Sequence, residues 1–231
     1  MTDQPPATGP EAPIPITPDM LDPGGPGGTV DFERGMRRAP PLTLTVVAAL
    51  TAVFVWELAT DALSDEAHIL AAGALARGPV AAGEVWRLFT ATLLHGGWDH
   101  LVGNCVVLYI VGMACEHALG AARLALVYGA SGLAGSCLSV VAAPGPSVGA
   151  SGAIFGVVAS VIVVFYRHRH RWHLRDRRIG FVLLVWAAYQ VATGFFVPFI
   201  DNFAHLGGVM AGAAVTLGFG TDLPLGSAAR R

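Results

Sequence analysis

Residues 100–165 read HLVGNCVVLYIVGMACEHALGAARLALVYGASGLAGSCLSVVAAPGPSVGASGAIFGVVASVIVVF, and this stretch decides the fold class of the chain. Its charged residues are Glu116 and Arg123, and almost everything else is apolar or small. An α-helix needs about 20 such residues to cross the hydrocarbon core of a bilayer. The stretch therefore predicts three membrane spans, at about 100–118, 124–142 and 150–165.

The same composition continues through much of the chain. Of its 231 residues, 54% are hydrophobic and 13% are charged, whereas a soluble domain has about 25% charged residues. Three further spans are predicted at about 41–59, 179–199 and 203–220. Residues 61–87 are too polar to cross lipid and indicate a long loop that partly enters the membrane interface. We expect an all-α, polytopic membrane protein with six transmembrane helices.

The two ends of the chain differ from this membrane domain, which we place at residues 39–220. Residues 1–38 are rich in Pro and Gly and offer little to bury, so they predict a disordered tail. They lack the apolar core of a signal peptide, so we expect the first span to direct insertion. Residues 221–231 are expected to form a short C-terminal tail.

Arginine placement predicts the orientation in the membrane. The chain has no lysine, and most of its arginines lie at 34–38, 167–178 and 230–231. Cytoplasmic flanks of membrane spans carry an excess of positive charge, so six spans place both termini in the cytoplasm. The run RHRHRWHLRDRR at 167–178 suits a topology-setting loop, although anionic lipid or metal binding is also open. The composition, rich in Ala, Gly and Arg, favours a bacterial cytoplasmic membrane.

Polar groups lie near the starts of the second, fourth and sixth spans, which this topology puts at one depth on the non-cytoplasmic face. They are His100 and Asn104, then Ser151, then His205. Ionisable groups at membrane depth are costly and indicate a functional site. A serine hydroxyl becomes a nucleophile when a neutral imidazole takes its proton. His100 and Asn104, spaced i and i+4, share a helix face that suits binding of an oxyanion.

Small residues spaced four apart predict close contact between the fourth and sixth spans. They are Gly152 and Gly156 on one span, and Gly208 and Gly212 on the other. Such stripes let helix backbones approach closely, and that approach would bring Ser151 and His205 together. Taken alone, a serine among small residues is more often a packing position. A single membrane histidine is more often structural or part of a proton path.

Ordered motifs make the interpretation specific. The chain carries HGGWDHLVGN at 95–104, GASG at 149–152 and AHLGG at 204–208, preceded by the pair Trp86 and Arg87. Together they resemble the rhomboid family over about residues 42–220. The resemblance implies a six-helix intramembrane protease whose catalytic dyad is Ser151 and His205, with no metal, no other cofactor and no third carboxylate.

The resemblance also implies supporting roles for other residues. His100 and Asn104 are similar to the oxyanion-stabilising side chains of the family. Structural support is expected from His95, Trp86, Arg87, Gly149, Gly152 and Phe155. Phe155 stands where some bacterial members carry a tyrosine against the imidazole. The implied substrates are single-pass or polytopic transmembrane proteins within membrane lipid. A net charge of −2 gives no support for a nucleic-acid partner, and the oligomeric state is left open.

Two other functions are open at the level of sequence. One is a catalytically inactive relative that binds transmembrane clients, against which the intact serine and histidine argue. The other is a transporter or proton channel, which predicts ion-pairing carboxylates or a helix broken at mid-membrane. Neither feature occurs in the last three spans. Other polar residues and the cysteines receive no catalytic role; they are Glu57, Glu116, His68, His117, Cys105, Cys115 and Cys137. The role of Glu116 stays undecided.

Overall fold

Nine helices follow one another in the computed structural model, which describes residues 31–143, 145–197 and 200–220. In chain order they are α1 (Pro41–Ala59), α2 (Glu66–Ala72), α3 (Arg77–Ala81), α4 (Arg87–Thr90), α5 (Trp98–Leu119), α6 (Ala121–Ala142), α7 (Ser151–Arg167), α8 (Leu174–Thr193) and α9 (Asn202–Gly218). Within these residues there is no β-strand, and one isolated antiparallel bridge joins Leu75 to Ser147. The predicted all-α class is confirmed.

The six long helices coincide with the six predicted spans. Among the residues described, α1, α5 and α6 are long and apolar enough to cross a membrane by length and composition, and α7 is a shorter apolar helix. The start of α8 at Leu174 lies before the predicted residue 179, because charged residues such as Arg177 and Arg178 continue the helix beyond its apolar run. Its last residue is Thr193, ahead of the predicted residue 199.

The loop between α1 and α5 is folded around a buried arginine. The Arg87 guanidinium donates to the carbonyl oxygens of Leu70 and Ala74 and to the Glu84 carboxylate. The same guanidinium lies 4.6 Å from the centre of the Trp86 ring. One side chain thus holds the end of α2 against the start of α4. The Trp-Arg pair singled out in the sequence therefore lies where it can support the loop.

Helix α7 lies at the centre of the bundle. Residues 152–161 of this helix are all buried, so burial extends around its whole circumference. A helix that is apolar on every side requires neighbours on every side, and α7 packs against α5, α6, α8 and α9. Cys115 of α5 is one of the buried residues that face this core. The three cysteines of the chain are free thiols.

Helices α7 and α9 approach so closely that their main chains touch. A methyl group added to Gly208 would overlap the carbonyl oxygen of Gly152, and one added to Gly212 would overlap that of Gly156. Residues without a Cβ are required for such an approach. The contact predicted from the small-residue stripe is confirmed. It places the first turn of α9 directly against the first turn of α7.

Glu116, near the end of α5, caps the start of α1. Its carboxylate accepts hydrogen bonds from the backbone N–H of Leu42 at 3.1 Å and of Thr43 at 2.9 Å, and from the Thr43 hydroxyl at 2.8 Å. The first N–H groups of a helix have no partner within the helix, and negative charge is favourable there. The role that the sequence left undecided is therefore a helix cap in the structure.

The chain is already packed against the bundle before α1 begins. Phe32 is buried, and its N–H donates to the Asp176 carboxylate at 2.8 Å. Its carbonyl accepts a hydrogen bond from Nε2 of His117 at 2.9 Å, so this histidine has a structural contact that the sequence did not indicate. Residues 1–30 of the predicted tail, and 221–231, lie outside the described residues. The three domain boundaries stay predictions.

We expect Gly212→Ala to lower the free energy of unfolding by about 1–3 kcal/mol, because the added methyl group meets the Gly156 carbonyl and pushes α7 and α9 apart. Gly218→Ala at the end of the same helix is the matched control, since no atom of the described residues lies within 4 Å of its added methyl group. Unfolding in detergent micelles followed by circular dichroism measures the difference. Equal stability of the two variants would contradict the main-chain contact.

Candidate active site

Ser151 and His205 lie in the first turns of two touching helices. Ser151 is the first residue of α7, and His205 is the fourth residue of α9. The Nε2 atom of His205 is 3.0 Å from the Oγ atom of Ser151, which is hydrogen-bond distance. The imidazole is buried and the serine is half-buried. The structure thus brings together the nucleophile and base predicted from the sequence.

The other ring nitrogen of His205 indicates how the pair is protonated. For Nε2 to accept the serine proton, the neutral ring carries its own proton on Nδ1. That Nδ1 atom is buried and has no hydrogen-bond partner among the described residues. Asp201 makes its hydrogen bonds elsewhere: its carboxylate accepts the Ala204 N–H at 2.9 Å and the Ser139 hydroxyl. Asp201 caps α9 and ties it to α6.

An aromatic stack fixes the plane of the imidazole. Phe155, one turn after the serine on α7, lies face to face with the His205 ring at a centroid distance of 4.0 Å and an angle of 12°. Trp186 of α8 also stacks with Phe155, at 5.7 Å and 25°. The ring therefore has little freedom to rotate away from the serine. An aromatic face beside it also suits a transient positive charge on the imidazole.

His100 and Asn104 converge on the backbone just before the serine. A methyl group added to Gly149 would lie 2.7 Å from His100 Nε2 and 3.7 Å from Asn104 Nδ2. The Asn104 Nδ2 group is buried and has no hydrogen-bond partner among the described residues. Buried donors without a partner are rare and need an explanation. A site that receives an oxygen atom from a bound molecule would supply that partner.

The segment before α7 is pinned to the folded loop. Leu75 and Ser147 exchange backbone hydrogen bonds of 3.0 and 2.9 Å, and the Gly149 N–H donates to the Ala91 carbonyl at 2.8 Å. Gly149 has a φ of +127°, a conformation that side chains with a Cβ rarely adopt. Next to the serine, an added methyl group at Gly152 would lie 3.1 Å from the Ala204 carbonyl. Both glycines are thus explained by close contacts.

His95 supports the loop that leads into α5. It is fully buried, and its N–H donates to the two carboxylate oxygens of Glu57 at 3.0 and 3.2 Å. Burial lowers the pKa of the His95 ring to about 4, so the ring is neutral at pH 7. The sequence alone did not indicate this partner of Glu57. The available signal was an acidic residue inside an otherwise apolar span, which predicts a buried polar contact without naming it.

Two features of the described residues bear on the chemistry. No group of three or more His, Cys, Asp or Glu side chains among them is placed to hold a metal ion. The hydroxyl of Ser151, the imidazole of His205 and the side chains of His100 and Asn104 instead gather beside one helix start. Acyl transfer needs a nucleophile, a base and hydrogen-bond donors for the oxyanion. The residues gathered here are of these types.

We expect Gly149→Ala to slow the labelling of Ser151 by a serine-directed fluorophosphonate by about 10²-fold, because a displacement of about 1 Å costs that much in an active site. The added methyl group would collide with the His100 ring and strain a backbone with φ of +127°. Gly145→Ala in the same segment is the control, since its added methyl group meets nothing within 4 Å. Unchanged labelling of Gly149→Ala would exclude this packing.

We expect Phe155→Leu to slow the same labelling about tenfold, the equivalent of ~1.4 kcal/mol of lost stacking with the charged imidazole. Phe155→Tyr keeps the aromatic face and should label at close to the wild-type rate. Phe181→Leu, on an exposed part of α8, is the control for a general loss of aromatic packing. If Phe155→Leu and wild type label equally fast, the stack does not orient the base.

Comparison with known proteins places the chain among its relatives. The profile of the rhomboid domain matches residues 82–221. Rhomboid protease GluP of Bacillus subtilis is 41% identical over 152 residues, which are 65% of this chain and 29% of that protein. RHOMBOID-like protein 5 of Arabidopsis thaliana is 37% identical over 145 residues, 61% and 46% of the two chains. Inactive RHOMBOID-like protein 8 of the same plant is 33% identical over 131 residues, which are 55% of this chain and 36% of that protein.

The aligned part of this chain thus spans less than half the length of each of these relatives. Its match to the domain profile covers more than half of the chain and includes the serine motif, the histidine of α9 and the Trp-Arg pair. The relatives include proteins named as proteases and one named as inactive. The expected family and the expected membrane bundle are both confirmed: the chain belongs to the rhomboid family of polytopic membrane proteins.

Proposed function

We propose that this protein is an intramembrane serine endopeptidase that cleaves transmembrane protein substrates through a Ser-His dyad and an acyl-enzyme. The observation that carries the proposal is the 3.0 Å distance between Ser151 Oγ and His205 Nε2. Membership of the rhomboid family and the similarity to Rhomboid protease GluP support it. The serine is half-buried, so part of its surface remains exposed.

The geometry supports a two-step reaction. His205 Nε2 takes the hydroxyl proton as Ser151 Oγ attacks the carbonyl carbon of the substrate peptide. The negative charge that forms on the carbonyl oxygen is stabilised by N–H groups of Asn104, His100 and the Ser151 backbone. The imidazolium then gives its proton to the leaving amine. In the second step the same imidazole activates a water molecule, which releases the acyl group from the serine.

The position of the site suggests where substrates are cut. The starts of α5, α7 and α9 share one end of the bundle, and the arginine-rich segment after α7 lies at the other end. We assign the arginine-rich end to the cytoplasm, as charge bias favours. Cleavage then occurs near the outer face of a bacterial cytoplasmic membrane, with both termini in the cytoplasm. A substrate helix must unwind locally to expose a peptide bond to the serine.

A second candidate function is binding of transmembrane clients without cleavage. One relative is named as inactive, so family membership alone does not imply activity. Against this function, the described residues combine a serine, a base at hydrogen-bond distance and an unpartnered Asn104 donor. A protein that only binds has no need for this combination. We therefore favour the protease.

The test is cleavage of a single-pass transmembrane substrate by purified protein in phospholipid liposomes. We expect Ser151→Ala and His205→Ala each to lower the cleavage rate by at least about 10³-fold, because either change removes the activated nucleophile. Ser64→Ala and His68→Ala change the same residue types at exposed positions between α1 and α5 and should cleave at the wild-type rate.

Cleavage by Ser151→Ala at the wild-type rate would overturn the assignment of the dyad. If the wild type and both dyad variants are folded, bind the substrate and cut nothing, the client-binding function is correct. Polytopic substrates can be compared in the same liposomes, because the proposal covers both classes.

A further inference from the structure

Glu57 is a buried carboxylate that the proposed reaction does not use. It lies in the last turn of α1, and none of its surface is exposed. A charged or polar group at membrane depth is costly unless it has a partner. Its two oxygens lie 3.0 and 3.2 Å from a single donor, the backbone N–H of His95. The contact joins the end of α1 to the loop that precedes α5.

The held loop determines the orientation of His100. Directly after His95, the Gly96 N–H donates to the Nδ1 atom of His100 at 3.4 Å. A nitrogen that accepts a hydrogen bond carries no proton, so the neutral His100 ring has its proton on Nε2. That Nε2 atom is the one that faces Gly149 beside the serine. The fully buried His95 ring also packs edge-on against His100 at 5.2 Å.

A second contact makes the end of α1 a firm support. Phe54, one turn before Glu57, packs edge-on against Trp98 at a centroid distance of 4.9 Å. Trp98 is the first residue of α5, the helix that carries His100. The end of α1 therefore contacts α5 through Phe54 as well as the preceding loop through Glu57. The loop between the two contacts consists of residues 95–97. Its shape is therefore constrained at both ends.

We infer that Glu57 is a positioning residue that holds the 95–97 loop so that His100 presents its Nε2–H group to the substrate oxyanion. The inference rests on the proposed function, because the oxyanion belongs to that reaction. Glu57 acts through His95 and Gly96 and does not touch the substrate. An uncharged side chain with an acceptor oxygen at the same place serves equally well.

The first test compares Glu57→Leu, which removes the acceptor, with Glu57→Gln, which keeps one. We expect Glu57→Leu to lower kcat about tenfold with KM unchanged, less than the ~10²–10³-fold loss on removal of an oxyanion donor. Glu57→Gln should keep kcat within about twofold of the wild-type value, a much smaller change than the tenfold loss expected for Glu57→Leu. Equal kcat for wild type and Glu57→Leu overturns the inference while leaving the protease intact.

A double-mutant cycle separates positioning from general stability. If Glu57 acts through His100, Glu57→Leu should lower kcat by less than about twofold once His100→Ala is present, because coupled residues are not additive. A merely structural loss would lower kcat by the same factor in both backgrounds. Should Glu57→Leu fail to fold, Glu57→Asp keeps the charge but shortens the side chain by one methylene and enters the same cycle.

A measurement without substrate distinguishes failure of this inference from failure of the proposed function. Nitrogen-15 NMR of labelled histidines reports which ring nitrogen carries the proton, and His100→Gln identifies the signal. We expect His100 to be the Nε2–H form in wild type and a mixture of both forms in Glu57→Leu. Loss of that preference without any wild-type cleavage supports the positioning and refutes the protease. An unchanged His100 signal in Glu57→Leu refutes the positioning whether or not the protein cleaves.

Discussion

The main-chain contact between α7 and α9 is the constraint on which the rest of the site depends. Lipid tails are as apolar as the helix surfaces, so burial of apolar surface gives these helices no reason to associate. Close packing of small residues provides one. The carbonyl oxygens of Gly152 and Gly156 occupy the space that side chains of α9 would fill, so the main chains of the two helices are in contact. At that distance the serine hydroxyl reaches the imidazole.

Around this contact, three helix starts and one loop segment form the site. The first turns of α7 and α9 supply Ser151 and His205, and α5, which also packs against α7, supplies His100 and Asn104. The segment before α7 fits between them because Gly149 has no side chain. Helix starts are suited to this role, since their first N–H groups are not used within the helix and favour negative charge. The arrangement suits the oxyanion of the proposed reaction.

The carboxylates inside the bundle serve the backbone. Glu116 accepts the first N–H groups of α1, Asp201 caps α9, and Glu57 holds the loop before α5. In a membrane, backbone groups that leave a helix cannot turn to water, so side chains or other backbone groups must satisfy them. By contrast, His205 Nδ1 and Asn104 Nδ2 are among the buried atoms that have no hydrogen-bond partner within the described residues. Both lie at the proposed site, where a substrate or water would supply a partner.

The sequence by itself determined the all-α class, the approximate positions of the six long helices, the stripe of small residues and the pairing of Ser151 with His205. The first three features are local, since apolar run length and i to i+4 spacing are visible along one segment of chain. The pairing followed from the ordered motifs and from a topology that puts three helix starts at one depth. The tertiary structure decided the partner of Glu57, the cap formed by Glu116 and the docking of Phe32 against Asp176. Each of these hydrogen bonds joins residues far apart in the chain. Their distances depend on how helices pack, and no spacing within the sequence encodes that.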